Sequence, residues 1–328
     1  MQHRPLGRSG LSVSSLGLGC MGMSEYYGPR NDVESLATME AAVEAGVDFF
    51  DTADVYGHGD NEELVGRFLK GKRDKVVLAT KYGIVRKRNS PERRIDNSPA
   101  YIRAACEASL KRLGVERIDL YYMHRRNPET PIEEAVGAMA ELVTQGKVKA
   151  LGLSEVSVET LRRADKVHPI AALQTEYSLW SREPEQGMLQ ACAELGIAFV
   201  AYSPLGRAFL TGTVSKPEDL ADGDFRRDNP RFQGEALARN NQLAAVLGKF
   251  AAEHKATPAQ MALAWLLNKH PHVVPIPGTK HRTYLKENAA AADIKLNAAD
   301  IAELDRIFVP EEVAGTRYAE DAMKGLSL

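Results

Sequence analysis

Along this chain the hydrophobic positions change period repeatedly. Short, nearly continuous apolar runs alternate with stretches whose apolar residues recur at three- and four-residue spacing. The continuous runs are Leu16–Met21, Val47–Asp51, Val76–Lys81, Ile118–His124, Val148–Ser154, Ala171–Gln174, Ile197–Ser203 and Val273–Ile276. Apolar character without alternation marks strands covered on both faces, as in a parallel sheet wrapped by helices. The helical pattern falls on 32–45, 60–69, 98–113, 131–144, 158–166, 187–195, 238–254, 258–269, 283–291 and 297–307. Ahead of the first run, Arg4–Leu16 reads as a β-hairpin turning at Gly7 and Gly10.

Eight strand–helix steps with no break in composition predict a single α/β domain over residues 1–328. The architecture is a (β/α)8 TIM barrel with an N-terminal β-hairpin and two extra helices. A doubly wound sheet is the competing arrangement, and one motif speaks to it. Gly17-Leu18-Gly19-Cys20-Met21-Gly22 matches the GxGxxG spacing, but no helix opens after it and Gly28-Pro29 follows. Without a helix start the spacing has no dinucleotide meaning, so these glycines read as sites of close backbone approach. Two connections, Tyr82–Asn97 and Gly206–Gly234, are long for a compact domain and follow strands, which predicts lids or binding loops.

Composition adds exclusions. A net charge of -2 with mixed signs gives no footprint for nucleic acid or an anionic membrane. No apolar run approaches the ~18 residues of a membrane span, and no signal peptide is legible, so a cytoplasmic protein is expected. Cys20, Cys106 and Cys192 are odd in number and widely spaced, which predicts neither a disulfide framework nor a metal site.

The chemistry gathers where strands end. Asp51, Tyr56, Lys81 and His124 lie at or just past the second, third and fourth strands, which are neighbours in a barrel. Singly, each has an ordinary explanation: a buried cap, a packed aromatic, half an ion pair, a core histidine. Together they suit carbonyl reduction, which needs a proton donor for a developing alkoxide. A phenol near pKa ~10 is a poor acid at neutrality; lowering it by ~2–3 units takes roughly 3–4 kcal/mol. An ammonium about 4 Å away supplies that at an effective dielectric of ~20. Lys81 is the candidate cation, Asp51 its anchor, and His124 a donor to the carbonyl oxygen.

Further segments then match in order: Asp51-Thr52-Ala53-Asp54-Val55-Tyr56-Gly57, Ala79-Thr80-Lys81, Tyr121-Tyr122-Met123-His124-Arg125, Gly152-Leu153-Ser154, Gln174-Thr175-Glu176-Tyr177-Ser178, Tyr202-Ser203-Pro204-Leu205-Gly206 and Pro277-Gly278-Thr279. On these the chain resembles the aldo-keto reductases across nearly its whole length. The resemblance implies NADP(H), a small-molecule carbonyl substrate, and a catalytic tetrad of Asp51, Tyr56, Lys81 and His124 with the tyrosine as general acid.

It also implies cofactor contacts. Ser154 and Gln174 would bind the nicotinamide carboxamide and Tyr202 would stack on the ring. Gly19 and Met21 would border the cofactor at the first strand, and Ser203, Pro204, Leu205 and Arg207 would line the pyrophosphate. Gly278, Thr279, Lys280 and Arg282 would hold the 2′-phosphate, with Glu287 and Asn288 near the adenine. Glu155, Asn127 and Ala208 depart from the common pattern, Glu155 standing where many members carry asparagine.

Tyr26, Tyr27, Arg125, Trp180 and Phe209 are the candidates for substrate contact, and aromatic walls among them suit an apolar or ring-bearing compound. The tail with Arg317 and Tyr318 is a candidate to fold over the same face. A regulatory subunit resembling channel β subunits is the competing function; it would need a large exposed partner surface. Substrate identity, direction and oligomeric state are not encoded in these patterns.

Overall fold

The computed structural model describes residues 1–88, 90 and 92–323. His3–Pro5 (β1) and Ser12–Ser14 (β2) form the antiparallel hairpin. Eight parallel strands follow: β3 (Leu18–Gly19), β4 (Phe49–Asp51), β5 (Val77–Tyr82), β8 (Ile118–Met123), β9 (Val148–Ser154), β10 (Ile170–Glu176), β11 (Ala198–Tyr202) and β12 (Val273–Pro275), hydrogen-bonded in that order. The connection after β5 holds a small hairpin, β6 (Ile84–Arg86) and β7 (Arg93–Ile95).

First and last strands meet. Gly19 bridges Gly278 in parallel register, and the Gly17 and Gly19 amides donate to the Pro275 and Pro277 carbonyls at 2.9 and 3.2 Å. The sheet is a closed barrel. Glycine is required at this seam: a Cβ on Gly17 would lie 2.8 Å from the Phe49 ring, and one on Gly19 3.0 Å from the Ile276 carbonyl oxygen. The GxGxxG spacing is thus seam geometry, not a phosphate loop.

Helices cover the outside: α1 (Asp32–Glu44), α2 (Asp60–Leu69), α3 (Pro99–Leu113), α4 (Ile132–Thr144), α5 (Val158–Val167), α6 (Met188–Leu195), α7 (Gly234–Glu253), α8 (Pro258–Lys269), α9 (Arg282–Ala290) and α10 (Ala298–Ile307). Their starts follow capping chemistry. Ser98, Ser157 and Thr257 each accept a hydrogen bond from an amide in the first turn, with proline at the first helical position of α3 and α8.

Two apolar layers result. Between strands and helices lies the larger core. Inside the barrel, Phe49, Leu120 and Tyr122 are accommodated by Ala79, Ala150, Ala172 and Ala198. The hairpin's Leu6, Leu11 and Val13 join this inner cluster and close the end of the barrel where strands begin. Arg4 fastens the plug, donating to the Leu267 and His270 carbonyls at 2.5 and 3.1 Å at the end of α8. Chemistry is left to the opposite end.

Both long connections, expected as lids or binding loops, carry ordered elements in their described residues. The β6–β7 hairpin lies within the first, and 206–234 is a chain of short 3-10 turns buried by Phe209, Leu210, Leu220 and Phe232.

Candidate active site

Strand register brings the four expected side chains together. Asp51 and Ala79 pair across β4 and β5, and Lys81 pairs with Tyr122 across β5 and β8, so successive strand ends rise side by side. The Lys81 ammonium is wholly buried. It donates to a carboxylate oxygen of Asp51, to the Thr52 carbonyl at 2.9 Å and to the Tyr56 hydroxyl at 3.3 Å. The other Asp51 oxygen accepts from the Gln174 amide at 2.8 Å. Tyr56 enters on a short turn whose Gly57 and His58 both take left-handed backbone angles. Its ring meets His124 edge-on at 5.7 Å.

Burial governs the protonation states. It pushes the Tyr56 phenol well above its ordinary value, and the Asp51 carboxylate adds to that. This reverses the expectation of a phenol acidified by Lys81. Here the ammonium is spent mainly on Asp51 and a carbonyl, and desolvation of a phenolate outweighs what remains. Burial lowers Lys81, with Asp51 opposing. Burial, then Arg125, Lys81 and Arg93, holds His124 well below the ordinary imidazole value. His124 is a neutral imidazole whose buried Nδ1 has no hydrogen-bond partner among the described residues. The arrangement can keep a neutral phenol against a reacting oxygen, with an imidazole opposite it.

Around the rim, Ser154, Gln174 and Tyr202 stand at or near the ends of β9, β10 and β11, and 278–282 follows β12. The four sets span neighbouring strands, an arc suited to an extended ligand. Gly19 and Met21 border it at β3. Ser154 Oγ accepts from Arg125 Nη1 at 3.2 Å. Lys280 and Arg282 flank the start of α9. Lys280 donates to the Tyr27 and Pro29 carbonyls, both at 2.7 Å, and Arg282 pairs with Glu34 at 3.1 Å. Asn288 is buried on α9 beside Glu287. The loop 203–208 carries left-handed angles at Ser203, Gly206, Arg207 and Ala208 and leads past Pro204 and Leu205.

Three expectations are corrected. Arg207 does not face outward for a pyrophosphate. Its guanidinium is buried, donating to Glu176 at 2.8 Å and to the Arg317 carbonyl at 2.6 Å, under the Tyr318 ring at 4.4 Å. Trp180 and Phe209 are not substrate walls. At 2% and 1% exposure they stack on each other, 4.1 Å between centroids, and hold the long loop to the barrel. Tyr26 and Tyr27 both pack edge-on against Phe225, bracketing the mouth with Arg125.

Reading residues locally missed a second buried charge group. Glu155, Glu176, Arg207, Arg231 and Arg317, from four separate segments, form linked ion pairs, and two of them, Glu155 and Arg317, hydrogen-bond the Tyr202 hydroxyl. Glu176 is drawn down to about 2: burial opposes its ionisation, and Arg207, Arg317 and Arg231 more than compensate. The nearest sequence signal was Glu176, a charge two residues past the Ala171–Gln174 apolar run.

The Aldo/keto reductase family model matches residues 15–308. An aldo-keto reductase of Schizosaccharomyces pombe, named with NADP(+), is 44% identical over 316 residues, covering 95% of this chain and 93% of that one. Glycerol dehydrogenase of Gluconobacter oxydans superposes with a TM-score of 0.84 at 29% identity over 92% of this chain and 94% of its own. An aldo/keto reductase of Klebsiella pneumoniae, crystallised with NADP and acetate, gives a TM-score of 0.73 at 29% identity, covering 97% and 99%.

Proposed function

The chain belongs to the aldo/keto reductase family and is an oxidoreductase; from that premise we propose that it reduces an aldehyde or ketone with NADPH, Tyr56 delivering the proton. The observation that carries the reading is the Tyr56 hydroxyl held 3.3 Å from a wholly buried Lys81 whose carboxylate partner, Asp51, is itself fixed by Gln174. Donor chemistry on the rim fits a dinucleotide. Ser154 and Gln174 offer amide-binding groups, Tyr202 an aromatic face, and the start of α9 two cations with helix amides. NADPH, when bound, supplies the hydride.

The protein's own part is proton placement. Tyr56 keeps its proton at neutral pH because burial disfavours its phenolate. A developing alkoxide is a stronger base than an ordinary phenolate, and Lys81 beside the hydroxyl offsets part of what burial adds to the cost of transfer from Tyr56. Lys81 then faces the new phenolate and stabilises it. His124, neutral, can donate one N–H to the carbonyl oxygen; its low basicity keeps it from competing with Tyr56 as the acid. Lys280 and Arg282 would favour the 2′-phosphate, hence NADPH over NADH. Stopped-flow reduction of an aromatic aldehyde panel tests this. Tyr56→Phe should bind NADPH within about twofold of wild type and lose roughly 10²–10⁴ in turnover; near wild-type turnover refutes the proposal.

A further inference from the structure

Arg317 reaches the mouth of the barrel from an irregular segment with no strand or helix of its own, yet only 1% of it is exposed. Its Nη2 donates to Glu155 Oε1 at 2.6 Å and to the Tyr202 hydroxyl at 3.1 Å. Its carbonyl accepts from Arg207 and Asn229 at 2.6 and 2.9 Å, so backbone and side chain are both tied down. Tyr202 in turn donates to the same Glu155 oxygen at 2.7 Å and lies 3.2 Å from the Tyr318 hydroxyl. Tyr202 is therefore held by a carboxylate and a guanidinium together, and that carboxylate by the same guanidinium and by the Glu176 amide at 3.1 Å.

Glu155 is an awkward residue for stability alone. Its φ of 52° lies in the left-handed region, where asparagine is at ease and a longer side chain is not. Its Oε2 and the Arg317 Nη1 are buried without a hydrogen-bond partner among the described residues. A strained, incompletely satisfied buried ion pair is weak as a stabilising device. What it does well is fix a position.

We propose that Arg317, acting on Tyr202 directly and through Glu155, is a positioning residue that sets the ring plane of Tyr202 for the nicotinamide. The inference rests on the reading of Tyr202 as the stacking residue given above. At 1% exposure Arg317 offers a ligand almost no surface; its part is to determine how the aromatic face is presented. Asparagine at 155, though suited to the backbone, would be one methylene too short to serve both the phenol and the guanidinium.

A binding cycle tests it on the full-length protein, with NADP(+) dissociation constants read by fluorescence quenching and apo melting temperatures read alongside. Arg317→Met and Tyr202→Phe should each raise Kd about tenfold. Because both act through the Tyr202 hydroxyl, the double variant should be no worse than the weaker single. Losses that multiply in the double variant overturn the inference. Arg317→Lys, which keeps a charge for Glu155, should recover part of the affinity. Should Arg317→Met fail to fold, Glu155→Asn replaces it: a melting temperature near wild type with Kd raised about tenfold supports the inference, and unchanged Kd overturns it. Tyr202→Leu separates the two readings. If that variant binds NADP(+) normally, the assignment of Tyr202 itself falls; if it binds weakly while Glu155→Asn does not, only the role of Arg317 falls.

Discussion

Two groups of buried charge sit at the same end of this barrel and are held in opposite ways. Lys81 and Asp51 project from neighbouring strands whose register is fixed by the sheet, and each has its polar atoms engaged within the site. Arg317, Glu155, Glu176 and Arg207 are drawn from loops, strand ends and the tail, with strained backbone at Glu155 and Arg207. The first group is preorganised by the barrel itself. The second is assembled by its own ion pairs and positions whatever they touch. Strands fix chemistry here; loops fix presentation.

Lys81→Met attacks the first group and should be the most severe single change. It strands the Asp51 carboxylate in the interior, for an expected loss of about 3–5 kcal/mol in denaturant titration. Adding Asp51→Asn should return much of that stability while leaving turnover abolished. A Lys81→Met protein as stable as wild type would mean that the pair is not buried as described.

Acid should find the second group. Glu176 is held at about 2 in the folded protein against 4.5 ordinarily. A depressed carboxylate contributes stability that is present above its unfolded value and lost as pH falls through 4.5 toward 2. The linkage amounts to on the order of 3 kcal/mol. Glu176→Gln should be less stable than wild type at pH 7 and flatter in melting temperature across that window; an unchanged slope would remove Glu176 from the acid response.

A smaller test loosens only presentation. Gly206 has φ of 56°, and a Cβ there would lie 2.5 Å from the Trp180 ring. Gly206→Ala should therefore cost about 1–3 kcal/mol and raise the KM for cofactor, with kcat falling by less than the KM rises. An equal fall in kcat would show that the loop and the tetrad are not separable.

The smallest expected effect is an absence. His124 lies well below its ordinary value and Tyr56 well above, so neither titrates in the middle range. kcat for reduction should vary less than about twofold between pH 6 and 9. An acidic limb near 6.5 would return His124 to an imidazolium role.

The contrast also explains what could be read from the chain. Strand and helix spans were legible because burial on both faces leaves unbroken apolar runs, and caps such as Ser98 and Thr257 mark the helix starts. The convergence of Asp51, Tyr56, Lys81 and His124 was legible because three lie at or next to strand ends and Tyr56 lies on the turn just after one. Its acid–base balance was not, since the desolvation that raises Tyr56 depends on everything packed around it. Trp180 and Phe209 were misread because an aromatic in a loop has the same local sequence whether it lines a pocket or pins the loop down. The partnership of Arg317 with Glu155 spans 162 positions, and no local pattern carries it.

The hairpin of β1 and β2 has a kinetic consequence. The chain's first residues cover one end and side chains fill the interior, so two ligands at the described strand ends would share the opposite face as their doorway, and one seated beneath the other must arrive first and depart last. Two ligands sharing that doorway cannot exchange independently. Product-inhibition patterns should then show compulsory order, written into the molecule by a plug of three apolar side chains at its far end.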